Sequence, residues 1–169
     1  RLPCKIAFVG NSVTYGAKVE AVEAYPHLVG EWLHAETLIL GVPGATAPDE
    51  LALIPAIEEF HPNVLVVYFG TNDAKRIRRG CETEEEFLAA LGQFSGEAPL
   101  VIFVKPHRGL ENAVQNYYPE DMERLGRLIE SVGIAVDTHC CQADQMYDYA
   151  HPNKEGHSVM ALAISQEIQ

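Results

Sequence analysis

A three-layer α/β/α sandwich built on a five-stranded parallel sheet is the architecture this sequence predicts. Two observations carry the prediction. Short apolar runs alternate with longer amphipathic stretches along the whole 169-residue chain, which is the signature of repeated βα units. The runs are also nearly continuous in apolar character, as strands covered on both faces must be.

The strand candidates are Cys4 to Val9, Thr37 to Leu40, Asn63 to Phe69, Leu100 to Val104 and Ile134 to Asp137. Helical periodicity fills the intervals at Tyr25 to Ala35, Pro48 to Phe60, Glu84 to Leu91, Pro119 to Val132 and Glu155 to Ile168. Thr83 followed by Glu86 reads as a capping box, and Gly133 as the glycine stop after the fourth of these helices. Right-handed crossovers then give a flavodoxin-like strand order, 2-1-3-4-5, with function expected at the carboxyl ends of the strands. No repeat or break in composition divides the chain, so residues 1–169 are expected to form a single domain.

Composition narrows the function classes. A hydrophobic content of 47% is enough for a core without disulfides or metals. The formal charge of −12 repels a phosphate backbone and argues against nucleic acid as a partner. No apolar stretch is long enough to span a bilayer, and no basic-then-apolar leader opens the chain, although a start at Arg1 leaves room for one that was removed. Cys4, Cys81, Cys140 and Cys141 form no CxxC pair and no zinc spacing, and the adjacent Cys140 and Cys141 are not expected to pair. This usage slightly favours a reducing, cytoplasmic compartment over a secreted or periplasmic one.

Three loops carry chemistry. The loop leaving the first strand, Gly10-Asn11-Ser12, can present a hydroxyl and a backbone N–H at a sharp turn, although a helix N-cap or phosphate cradle fits the same residues. The loop after the third strand, Gly70-Thr71-Asn72-Asp73, lies beside it in this topology and can aim the Asn72 amide at an oxyanion, or close its own turn. Asp73 fits a capping or supporting role better than that of an acid catalyst. Before the last helix, Asp148-Tyr149-Ala150-His151 places a carboxylate where it can orient a histidine, or alternatively makes a plain capped helix start. Pro152 stiffens His151, and Asn153 can cap the helix that follows.

With these blocks in this order, the chain resembles the SGNH or GDSL-like lipase/acylhydrolase family over nearly its whole length. Gly10-Asn11-Ser12 resembles the GDS-type block, Gly44 the glycine of the second block, Gly70 to Asp73 the GxND block, and Asp148 to His151 the DxxH block. The resemblance implies Ser12 as nucleophile, His151 as general base and then acid, and Asp148 as its orienter. It also implies an oxyanion hole from the backbone N–H groups of Ser12 and Gly44 and the side chain of Asn72. No metal or organic cofactor is implied. Asn11 departs from the family's usual aspartate, and Ile39 stands where an asparagine often opens the second block.

The expected activity is hydrolysis of a small or short-chain ester, O-acetyl or thioester, through an acyl-enzyme. Acyl transfer to an alcohol on the same triad is an alternative. So is a non-catalytic flavodoxin-like binding domain, although the first loop has neither GxGxxG nor GxxxxGK[ST]. Six of the twelve basic residues fall in two loops expected to border the site: Lys75, Arg76, Arg78, Arg79, Lys105 and Arg108. They are read as favouring an anionic or polar substrate, against the plainer reading of a solvated helix start pairing with Glu82 to Glu86. His107 is a candidate substrate contact on the same rim, and Tyr117 and Tyr118 fit either a lid or a surface loop. The remaining histidines, His27, His34, His61, His139 and His157, read as structural or solvated.

Overall fold

In the computed structural model, which describes residues 4–169, five parallel strands form one sheet in the order β2-β1-β3-β4-β5. They are β1 (Lys5–Gly10), β2 (Glu36–Gly41), β3 (Val64–Tyr68), β4 (Leu100–Val104) and β5 (Ile134–Val136). The class and the strand order are those expected. Alternate residues feed two cores, with Ala7, Val9, Leu65, Val67, Val101 and Phe103 on one face and Ile6, Phe8, Val64, Val66, Ile102 and Val104 on the other.

Among the described residues the helices are α1 (Ser12–Tyr15), α2 (Tyr25–Trp32), α3 (Ile54–Phe60), α4 (Thr71–Arg78), α5 (Glu84–Phe94), α6 (Pro119–Ile129) and α7 (Lys154–Ile168). Ile57, Phe87, Leu91, Met122 and Leu125 bring α3, α5 and α6 onto the first face. Tyr25, Val29, Met160 and Ile164 bring α2 and α7 onto the second. Each fully buried side chain of this kind contributes about 1.5–3 kcal/mol. The Thr83–Glu86 capping box forms at the start of α5. Among the described residues no helix is long and apolar enough to cross a membrane.

The differences from the sequence reading have local causes. The stretch from Pro48 to Phe60 is a 3-10 turn (Pro48–Leu53) followed by α3 rather than one helix, because Pro55 can sit only in a first helical turn. The second helix stops at Trp32, and His34 takes φ 52° to turn the chain toward β2. Gly133 is not the stop of α6, which ends at Ile129. It packs against Phe103, where a Cβ would lie 3.1 Å from the ring. Helix α4 was not anticipated because Ala74 and Ile77 are its only apolar residues, too few to show a period. Cys140 and Cys141 are paired sulfur to sulfur, against expectation.

Two residues fix the meeting of the first and third loops. Gly10 pairs with Tyr68 of β3, and a Cβ on it would strike Thr14 and lie 2.7 Å from the Tyr68 carbonyl oxygen. Asn11, fully buried, accepts from the Val13 N–H at 3.0 Å and donates to Thr71 Oγ1 at 2.8 Å. Its amide caps α1 and ties it to α4 with one side chain, so the departure from aspartate supplies a donor that a carboxylate lacks. Asn11→Ala, which leaves buried groups without partners, is expected to cost about 1–3 kcal/mol, read as a fall in Tm of roughly 2–12 °C.

Candidate active site

The carboxyl ends of β1 and β3 and the loop before α7 converge on Ser12. As the first residue of α1, Ser12 has an N–H with no acceptor inside the helix. Its Oγ lies 3.2 Å from His151 Nε2, and His151 Nδ1 lies 3.0 and 2.9 Å from the two oxygens of Asp148. The carboxylate can only accept, so Nδ1 carries the proton and Nε2 faces Ser12 with its lone pair. Partial burial pushes the Asp148 carboxyl up, but the His151 and Ala150 backbone N–H groups and the His151 ring outweigh it and hold the group below its ordinary range. It therefore stays ionised beside the imidazole.

The loop that carries this pair is closed on itself. Tyr147 N–H donates to the His151 carbonyl at 2.8 Å, and Met146 bridges to Pro152. Asn153 caps α7 by accepting from the Gly156 N–H at 3.0 Å and donates to the Asp144 carbonyl at 2.8 Å.

From the first turn of α4, Asn72 donates one amide hydrogen to the Ala45 carbonyl at 3.1 Å, which leaves its second hydrogen for another acceptor. Gly44 is exposed with φ 81° and nothing within 4 Å of the place a Cβ would occupy. Only glycine takes that backbone readily, and the space above it is open. Asp73 is fully buried and accepts from the Ala47 N–H at 2.8 Å, a supporting place as expected. Ser12, His151 and Asp148 are thus linked in the order of a hydroxyl, an imidazole and an orienting carboxylate.

His107 requires correction as a substrate contact, because it is buried. Its Nε2 lies 2.6 Å from the Ala150 carbonyl and its Nδ1 meets the Tyr68 hydroxyl. A carbonyl only accepts, so Nε2–H donates to Ala150 and the tyrosine O–H donates to Nδ1. Burial drives His107 down to about 4, which keeps it neutral. It braces the backbone next to His151, a role with no local signal because Tyr68 reads only as strand core.

The basic rim is largely neutralised within the protein. Arg78 chelates Asp121 at 2.8 and 2.9 Å, Lys105 meets Glu130 at 2.6 Å, Arg108 pairs with Glu123, and Arg76 lies 3.9 Å from Glu82. Glu82 itself is buried rather than part of a solvated helix start. Lys75 reaches the loop that carries Asp148 and His151, with Nζ donating to the Tyr149 hydroxyl at 3.1 Å above the rings of Tyr149 and Tyr117. Tyr117 is buried under this contact and Tyr118 lies beneath Arg78, so neither forms a lid.

A cavity of about 570 Å³ is lined by Lys105, His107, Arg108, Arg127 and His139, among others, but by none of Ser12, Asn72 or His151. This cavity lies apart from the Ser12–His151–Asp148 relay. Among the described residues no group of three or more His, Cys, Asp or Glu side chains is gathered as a metal site. His157 is buried and accepts from the Tyr25 N–H at 3.0 Å, a structural place as expected.

The model of the GDSL-like lipase/acylhydrolase family matches residues 8–159. No curated protein sequence matches the chain. Among solved structures, a lipase/acylhydrolase from Enterococcus faecalis is similar at 24% identity and TM-score 0.81, over 98% of this chain and 95% of that one. A carbohydrate acetylesterase family member from Sinorhizobium meliloti is similar at 16% identity and TM-score 0.76, over 98% and 97%. A catalytic mutant of an acetylxylan esterase from Geobacillus stearothermophilus is similar at 20% identity and TM-score 0.72, over 99% and 95%. These three share the fold.

His107 and His157 are both held down to about 4 chiefly by burial. A depressed folded pKa leaves stability intact above the unfolded value and removes it as pH falls through the folded one. Stability is therefore expected to fall between about pH 6.5 and pH 4, by on the order of 3 kcal/mol per histidine. Urea unfolding across that range should show His107→Gln losing less on acidification than the wild type.

Proposed function

Because the chain belongs to the GDSL-like lipase/acylhydrolase family, and is thus a hydrolase of carboxylic esters, we propose that Ser12, His151 and Asp148 form its catalytic triad. We also propose that its substrate is a short acyl ester, O-acetyl foremost, of a polar alcohol. The observation that carries the reading is the relay from Ser12 Oγ at 3.2 Å to His151 Nε2 and from Nδ1 at 2.9 Å to Asp148.

In this mechanism His151 Nε2 takes the Ser12 proton as Oγ attacks the ester carbonyl, and Asp148 stabilises the imidazolium that results. Charge gathering on the carbonyl oxygen meets the N–H groups of Ser12 and Gly44 and the free hydrogen of the Asn72 amide. The imidazolium then protonates the leaving alcohol. Water, deprotonated by the same Nε2, attacks the acyl-enzyme, and His151 returns the proton to Ser12 as the acid departs.

The open ground above Gly44 suits a small acyl group held at the surface. Tyr15 and Tyr147, each 61% exposed, stand on the same segments as Ser12 and Asp148 and offer flat apolar faces to a sugar-like alcohol. Two of the similar structures bear the names of a carbohydrate acetylesterase family member and an acetylxylan esterase, which supports the same class.

The test is turnover of p-nitrophenyl acetate and of an acetylated xylo-oligosaccharide, with product analysis to separate hydrolysis from transfer. Ser12→Ala and His151→Ala are expected to lose at least about 10⁴-fold in kcat, as is Asp148→Asn, which presents the wrong imidazole tautomer to Ser12. Asn72→Ala is expected to lose about 10²–10³-fold. Wild-type turnover by the Ser12 variant would overturn the assignment.

A further inference from the structure

Beneath the site lie two buried carboxyl groups that this mechanism does not use. Asp73 follows Asn72 at the start of α4, and Glu82 precedes α5. The two carboxyl groups lie in contact with one another. Asp73 Oδ1 and Glu82 Oε2 are both buried, and neither meets an N–H or O–H of any other described residue. Two ionised carboxylates cannot hydrogen-bond each other, since both only accept. The one donor able to satisfy the pair is a proton held between them.

The other Asp73 oxygen is already engaged. Oδ2 accepts from the Ala47 N–H at 2.8 Å, and Ala47 ends the buried stretch Ala45–Thr46–Ala47 that follows Gly44. Asn72, the residue before Asp73, donates to the carbonyl of Ala45 in that stretch at 3.1 Å. The Gly44 loop is thus held to the end of β3 at two points, and Asp73 is one of them.

We propose that Glu82, in its protonated form, is a positioning residue that donates to Asp73 and so fixes the Gly44 loop and Asn72 in one arrangement. The proposal rests on the reading of Gly44 and Asn72 as oxyanion donors. Loss of the proton leaves a buried dianion whose mutual repulsion drives Asp73 off the Ala47 N–H and loosens both donors.

Burial pushes both carboxyls up, Glu82 the more, to about 9, with the contact to Asp73 adding to it. The charged groups around the pair are few. Arg76 lies 3.9 Å from Glu82, and Glu86 opposes ionisation from α5. Asp49 and Glu50 stand on the Pro48–Leu53 turn that packs against α5. The Glu84–Arg124 and Arg78–Asp121 pairs toward α6 are closed. Because the folded pKa is raised, the pair's stabilising effect is complete below the unfolded carboxyl range and is lost as pH rises through about 9.

Kinetics and thermal unfolding of wild type, Glu82→Gln, Glu82→Ala and Ser12→Ala from pH 6 to 10 provide the test. Glutamine donates permanently to Asp73 without a titrating proton. Glu82→Gln is expected to keep kcat within about twofold at pH 7 and to hold it beyond the pH where wild type declines, with a Tm advantage over wild type that grows as pH rises. Glu82→Ala is expected to lose about 10- to 100-fold in kcat at pH 7 with KM little changed, less than removal of an oxyanion donor. An identical alkaline limb in wild type and Glu82→Gln, parallel Tm curves, or wild-type kcat in Glu82→Ala would each overturn the proposal. If Glu82→Ala does not fold, the two Glu82→Gln comparisons decide alone. The Tm comparison reads the shared proton without reference to activity, so its failure is distinct from failure of the triad, which Ser12→Ala reports.

Discussion

The parallel pairing of β1 between β2 and β3 is the constraint on which the other features depend. It sets Gly10 opposite both Gly41 and Tyr68, so the loops leaving three strands open onto the same patch of surface. Gly10 has no room for a side chain there, and the close approach it permits lets Ser12 begin a helix within two residues of the sheet. Asn11 then joins this turn to Thr71. The site is compact because the sheet makes its parts neighbours before any side chain contributes.

Closed hydrogen-bond accounting then holds those parts still. Asp148 Oδ1 accepts from the Ala150 N–H, the His151 N–H and the His151 ring within one short loop. The loop is braced from behind by His107, whose two ring nitrogens are both occupied, one by the Ala150 carbonyl and one by Tyr68. A neutral histidine serves here because burial penalises the charged form. Asp73 and Glu82 face the same penalty as acids, which favours retaining a proton. The surroundings of the proposed triad thus hold groups of suppressed charge, while Asp148, beside the His151 imidazole, remains ionised.

The basic residues illustrate the limit of composition as a guide. Six cations in two loops of an acidic protein read as a local reversal of charge, yet Arg78, Lys105 and Arg108 each face a carboxylate of α6 or of the residue just after it. Charge counted along the chain takes no account of the acids that another element brings up to it.

The sequence by itself determined the sheet, its strand order and the identity of the residues at the candidate triad. Apolar runs and turn chemistry are local properties, and Ser12, Asn72, Asp148 and His151 sit in short motifs whose spacing is legible without a fold. Helix α4, mostly polar, was not legible, nor was the break of the second helical stretch before Pro55. Only the tertiary structure decided that His107 is a buried brace rather than a substrate contact, that Asn11 links two loops, and that Glu82 is buried against Asp73. Each of these depends on a partner 9 to 60 residues away, and burial and hydrogen-bond satisfaction follow from which chain segments meet, not from which residues adjoin.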